Sequence, residues 1–167
     1  MAKKAIRPIR IEGNIAYVPL TKGYEAIIDA DVAGVIGAWN WYAKVTPHTV
    51  YAVRDEWLPA KRRVSMHSTI IGAVENKMID HVNRNGLDNR RSNLRHASPS
   101  ENQFNKGVAP DNMTGLKGVS LGKDGYWRAR IKFAGKEHHL GSFRDMGAAS
   151  EAYRRIAKIL HGDFAAF

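Results

Sequence analysis

Apolar positions change their period along this chain, and the changes divide it. Over residues 1–75 the apolar residues come in short runs broken by turn formers. Ile9 and Ile11, then Ile15, Tyr17 and Val18, flank Glu12-Gly13-Asn14 and predict two short strands around a turn. Glu25–Asp29 predicts a further strand. Asp31 is placed to cap a short helix running through Trp39, with Val32 and Ile36 four apart on one face. Residues 41–45, 49–54 and 63–71 alternate or are rich in β-branched and aromatic types, which predicts strands. This first region is β-rich and shows no readable chemistry.

Residues 76–106 read as strand, long polar loop, strand and helix. Met78-Ile79 leads into Asp80-His81, the run from Asn83 to Asn89 consists of turn formers, and Asn93–Ala97 is a short return strand. Ser98-Pro99-Ser100-Glu101 has the form of a capping box with proline at the first helical position. Residues 107–113 are a linker of turn-forming residues. Residues 114–167 predict a strand at Gly118–Leu121, a strand from Tyr126 to Phe133, another from Glu137 to Phe143, and a helix from Met146 to Leu160. In that helix Ala149, Ala152, Tyr153, Ile156, Ala157 and Leu160 form one stripe. Along Tyr126–Phe133 the residues Trp127, Ala129, Ile131 and Phe133 share one face, and Tyr126, Arg128, Arg130 and Lys132 the other.

Composition narrows the function. The 167 residues carry a net charge of +10, spread through the chain, which points to a polyanionic partner. There is no cysteine, so disulfides and thiolate zinc sites are excluded. The basic start of the chain has no apolar run behind it, and the most apolar stretch, Val32–Trp39, is too short to span a bilayer. A cytoplasmic, non-membrane setting is expected.

Asp80 and His81 adjoin at a strand end, so one can serve a metal while the other faces water. The capped helix returns Asn102 after the hairpin. Oxygen donors from few side chains, completed by waters and a phosphate, suit magnesium. A neutral imidazole accepts a proton from water near pH 7. Asn105, three residues beyond Asn102, is an alternative ligand. Asp88 and Asn89 read as turn formers and His96 as a surface or hairpin residue; His67, in Ser65-Met66-His67-Ser68, reads as a site neighbour or a structural strand histidine with no assigned role.

The stretch from Met78 to Arg95, with Ser98 to Asn105, resembles the HNH motif of phage and intron homing endonucleases, the ββα-metal or His-Me finger fold. The resemblance covers about thirty residues. It implies His81 as general base, Asp80 and Asn102 as metal ligands, and Asn93 as the middle asparagine that braces the hairpin and orients the base. It implies Mg2+, with Mn2+ as a substitute, and no zinc staple or organic cofactor. Residues 114–167 resemble the AP-two/ERF DNA-binding domain through Gly118-Val119, Tyr126–Ile131, Leu140–Phe143, Ala148–Tyr153 and Leu160–Gly162. By position that implies Lys117, Ser120, Arg128, Arg130, Lys132 and His139 as DNA-facing. Plant members have Arg or Trp where this chain has Lys117, Ser120 and His139, so base preference does not transfer and phosphate contact is the safer role.

The expectation is an α+β protein: a β-rich N-terminal region (1–75), a ββα-metal HNH core (76–106), a linker (107–113), and a three-stranded antiparallel sheet packed on one helix (114–167). The expected activity is metal-dependent hydrolysis of double-stranded DNA by a homing-type nuclease in a bacterial host or phage-infected cell, acting as a monomer or homodimer. The rival readings are a non-catalytic sequence-specific DNA-binding regulator and an RNA-binding structural protein.

Overall fold

The computed structural model describes residues 5–57, 59–109 and 111–167. The sequence reading of the first four residues, and of Pro110 in the linker, lies outside them. The fold is α+β, and the chain forms two compact units, Met1–Pro99 and Ser100–Phe167. Among the described residues no helix is long and apolar enough to cross a membrane.

In the first unit β1 (Arg10–Glu12), β2 (Ile15–Pro19) and β3 (Glu25–Asp29) form an antiparallel meander. The β1–β2 turn falls at Gly13, whose φ is +60°. Alternation sends Ala16 and Val18 of β2, with Ala26 and Ile28 of β3, to one buried face. A second meander joins β4 (Tyr42–Val45), β5 (Val50–Glu56) and β6 (Arg62–Ser65). The two meanders share a core centred on Trp41, which is 0% exposed and packs with Ile28, Ile36, Ala52 and Met66. Its indole Nε1–H donates to the Ile36 carbonyl at 2.9 Å, so the one polar atom of the ring is satisfied.

Two expectations for this unit need correcting. Residues 66–71 form a helix, α2 (Met66–Ile71), where β-branched composition predicted strand. Met66 is fully buried and Ile70, about one helical turn further on, packs against the same core. The Ser68 and Thr69 hydroxyls also donate back to the Ser65 carbonyl at the start of α2. The helix expected from Asp31 to Trp39 is a 3-10 turn at Ala30–Val32 followed by α1 (Ala33–Ile36). Asp31 caps nothing: it lies within the 3-10 turn, and its carboxylate receives Arg91 at 2.7 Å.

β7 (Met78–His81) and β8 (Leu94–Ala97) pair antiparallel, with Asp80 opposite Arg95. The loop between them is not free-standing. Ile27 of β3 donates its N–H to Leu87 O at 2.8 Å and accepts from Asn89 N at 2.7 Å. The outer edge of β3 therefore holds the loop as a further, very short strand.

In the second unit α3 (Pro99–Phe104) begins at the expected proline, where the missing N–H costs no helical hydrogen bond. β9 (Val119–Leu121), β10 (Trp127–Phe133) and β11 (Lys136–Phe143) form an antiparallel sheet in the order β11-β10-β9. The β10–β11 turn uses Ala134 and Gly135, both at positive φ. Helix α4 (Met146–His161) is capped by the Asp145 carboxylate, which accepts from Ala148 N at 2.8 Å. Its stripe of Ala149, Tyr153 and Ala157 packs on Val119, Ala129 and Ile131 as the pattern predicts. A bulge breaks the β10–β11 register: Ala129 faces Gly141 and Arg130 faces His139, so Leu140 is the extra residue.

Gly118 shows how closely the sheet meets α4. A Cβ there would lie 2.3 Å from the Tyr153 ring and 2.5 Å from Arg130 O, and its φ is +71°. Gly118→Ala is expected to destabilise the second unit by about 2–4 kcal/mol, read as a lower urea midpoint at unchanged slope.

Candidate active site

The hairpin of β7 and β8 builds the site from local alternation. Asp80 and His81 are 6% and 5% exposed and point to opposite sides of β7. On one side Arg95, directly across the ladder, donates Nε–H to Asp80 Oδ2 at 2.8 Å, with Nη2 2.7 Å from the same oxygen. On the other side the His81 ring lies 5.2 Å from that of His67, edge-on at 81°, and 5.9 Å from that of Tyr51. His67 comes from the start of α2 and Tyr51 from β5, so two further elements wall the imidazole.

This niche is electrostatically poor for a cation. Burial, with the neighbouring His81 charge, pushes His67 down to about 4 from 6.5. Burial also lowers His81, opposed in part by the hydrogen bond to Asn89 and the charges of Asp80 and Asp88. Both imidazoles are thereby favoured as neutral bases near pH 7.

The loop carries the remaining polar groups. Asn93 is tied to the loop through both ends of its amide. Its Oδ1 accepts from Asn83 N at 2.9 Å, and its Nδ2 donates to Asn83 Oδ1 at 2.9 Å and to Asp88 O at 2.7 Å. Asp88 is locked by Arg90 at 2.7 and 2.8 Å and by Asn83 at 2.9 Å, and the Arg90 hydrogen bonds hold its carboxyl below the usual range. The amide whose oxygen lies at the His81 ring is Asn89, at 3.4 Å from Nε2. Gly86 lets the loop lie on β5: a Cβ there would fall 2.6 Å from Val50 O and 2.7 Å from the Tyr51 ring.

Asn102 and Asn105 belong to the second unit, Asn102 on α3 and Asn105 just beyond it. Ser120, Arg128, Arg130, Lys132 and His139 share one face of the β9–β11 sheet, since Arg128 pairs with Ser120 and Ser142, and Arg130 with His139. That face also holds acceptors: Asp124 pairs with Arg128 at 3.0 Å and Glu137 with Arg130 at 3.4 Å. Lys117 sits elsewhere, with Nζ donating to the carbonyls of Phe104 and Lys106 at 2.7 and 2.6 Å. His96 lies on β8, with Nε2 3.1 Å from Gly72 O.

The chain is 39% identical over 90 residues to Protein 3.8 of Escherichia phage T7, a match covering 53% of this chain and 74% of that protein. The chain belongs to the Protein 3.8 family. It is also 27% identical over 147 residues to a protein of Acanthamoeba polyphaga mimivirus named an uncharacterized HNH endonuclease, covering 87% of this chain and 75% of that one. No protein-family model and no solved structure matches it.

In this Protein 3.8 relative, reading by sequence left out Tyr51 and Asn89 as neighbours of His81, and Arg95 as the partner of Asp80; His67 it read as a site neighbour or a structural strand histidine, and the ring lies beside His81 on a helix. The Met66-His67 pair was the one signal in the sequence for any of them. Two outcomes are expected. Asn93→Ala leaves the part-buried Asn83 N–H and the buried Asp88 O without their side-chain partner and should cost about 1–3 kcal/mol in urea unfolding. His67 binds its proton more weakly when folded, so the unfolded chain holds more protons between pH 6.5 and about 4. Its contribution to stability is whole above that window and lost as pH falls through it; His67→Phe should flatten the slope of unfolding free energy against pH there.

Proposed function

We propose that the protein is a metal-dependent DNA endonuclease of the HNH type, hydrolysing phosphodiester bonds in double-stranded DNA. The observation that carries this reading is the juxtaposition at the end of β7. A buried carboxylate and a buried, neutral imidazole lie side by side and face opposite ways. The likeness to the mimivirus protein named an HNH endonuclease supports the same reaction class.

His81 takes a proton from water as its oxygen attacks phosphorus, the bond to the 3′-oxygen breaks, and that oxygen leaves with a proton drawn from solvent. The products are a 5′-phosphate and a 3′-hydroxyl. Asp80 and Asn102 would hold a hard divalent cation, Mg2+ with Mn2+ as substitute. One carboxylate and one amide oxygen fit a metal that keeps most of its waters and takes a phosphate oxygen. When bound, the ion stabilises charge on the phosphate and the leaving oxygen. Arg95 holds the Asp80 carboxylate on one face of the β7–β8 ladder and offsets its negative charge.

Ser120, Arg128, Arg130, Lys132 and His139 form the surface proposed to lie against DNA, in the manner of an AP-two/ERF-type sheet, and Lys117 supports it by fixing the end of α3. Arg128 and Arg130 hold Asp124 and Glu137 only through exposed pairs, which cost little to exchange for phosphates. The setting that fits is a homing-type nuclease acting in the cytoplasm of an infected cell, as a monomer or homodimer.

Incubation with supercoiled plasmid and with long genomic DNA tests the reading. Nicking is expected with Mg2+ and lost with chelator. His81→Ala should slow it by about a hundredfold or more, and Asp80→Ala and Asn102→Ala should abolish it while DNA binding persists. Absence of cleavage on any DNA, with His81→Ala indistinguishable from wild type, would instead favour a DNA-binding regulator. In salt titrations Arg128→Ala or Arg130→Ala should each reduce the slope of log K against log salt by roughly one unit. Unchanged slopes in both would mark that sheet face as merely solvated.

A further inference from the structure

We propose that Asn89 is a positioning residue that sets the tautomer of His81, holding the ring proton on Nε2 and the lone pair on Nδ1. The geometry leaves little choice. Asn89 is 1% exposed, and its side-chain nitrogen faces two backbone carbonyls, Leu87 O at 3.1 Å and Gly86 O at 3.4 Å. Carbonyls only accept, so the NH2 end of the amide must lie there; the flipped amide would set oxygen against oxygen. Oδ1 is then the atom turned to the imidazole, 3.4 Å from His81 Nε2. An amide oxygen also only accepts, so the nitrogen facing it must carry hydrogen, and in a neutral ring the other nitrogen is the base.

The amide is not free to adjust. Its own N–H donates to Ile27 O at 2.7 Å, and Leu87 O, which receives its side chain, also receives Ile27 N at 2.8 Å. The edge of β3 thus anchors both ends of the arrangement. Tyr51 and His67 close on the imidazole from two other elements and oppose its rotation. Asn93 is not available for the task, because Asn83 and Asp88 occupy both ends of its amide.

The catalytic consequence rests on the nuclease reading, whereas the tautomer does not. When His81 takes a proton from water, Nε2–H becomes a stronger donor, and the contact to Asn89 Oδ1 becomes charge-assisted. Asn89 therefore favours the state that follows proton transfer over the one that precedes it, which is what accelerates a reaction. A separation of 3.4 Å before substrate binds suits a contact that tightens during the reaction.

Nitrogen-15 NMR of the full-length protein, free of metal and DNA at pH 7.5, reads the tautomer directly. His81 is assigned among the seven histidines as the ring whose signals vanish in His81→Gln. The expected wild-type spectrum has a pyrrole-type Nε2 and a pyridine-type Nδ1. Asn89→Asp keeps an acceptor and should keep that pattern. Asn89→Ala should shift the ring toward the Nδ1–H form and lower kcat by about tenfold to a hundredfold with DNA affinity retained. A wild-type ring protonated on Nδ1 overturns the proposal. So does an Asn89→Ala protein with wild-type tautomer and kcat. If Asn89→Ala does not fold, the wild-type and Asn89→Asp spectra decide. The expected tautomer in a protein that cleaves no DNA would support the role of Asn89 in placing the proton and overturn the nuclease reading.

Discussion

The two backbone hydrogen bonds between Ile27 and the Leu87–Asn89 segment carry the candidate site. They anchor the polar loop of twelve residues between His81 and Leu94. Clamped to the edge of β3, the loop turns Asp88, Asn89 and Asn93 inward, where each finds a partner. Arg91 adds a second tie, donating its N–H to Asp29 and its guanidinium to Asp31. The β-rich N-terminal region is therefore the frame on which the candidate site at β7 rests.

Much of the fold could be read from the sequence, and the reasons are local. The stripe of α4, the proline that opens α3, the turn at Ala134-Gly135 and the alternation of β10 depend on neighbours within a few residues. The misreading of 66–71 has the opposite cause. Its β-branched residues favour strand by themselves; in the fold the segment is a helix that packs Met66 and Ile70 on the core, with the Ser68 and Thr69 hydroxyls bonded back to Ser65 O. The same division runs through the site. Asp80 and His81 stand out because two functional side chains adjoin at a strand end. Tyr51 does not, because nothing in its spacing from His81 says that β5 will converge on it. Several loop asparagines are equivalent as turn formers; which one meets the ring depends on the β3 pairing, a contact about sixty residues away in sequence.

The two units handle charge differently. In the first, most charged groups near the candidate site are tied: Asp80 to Arg95, Asp88 to Arg90, Asp31 to Arg91. These ties spend charge on holding shape. In the second, the basic residues of the sheet are held by exposed acceptors, pairs that water and salt already loosen. A rigid, neutralised centre and a surface of loosely committed cations are suited to different tasks, one to geometry and the other to a long polyanion.

The bulge in the β10–β11 hairpin gives the second unit an unusual joint. The ladder on either side of Leu140 is complete, so the hairpin could lose that residue and keep its pairing. Leu140, however, packs against both apolar clusters beneath the sheet, the one around Ala149 and the one around Tyr153. A single side chain that the strand does not need for its own hydrogen bonds thus serves as a dowel between two halves of the core. Loosening at one end of α4 would be transmitted to the other through it.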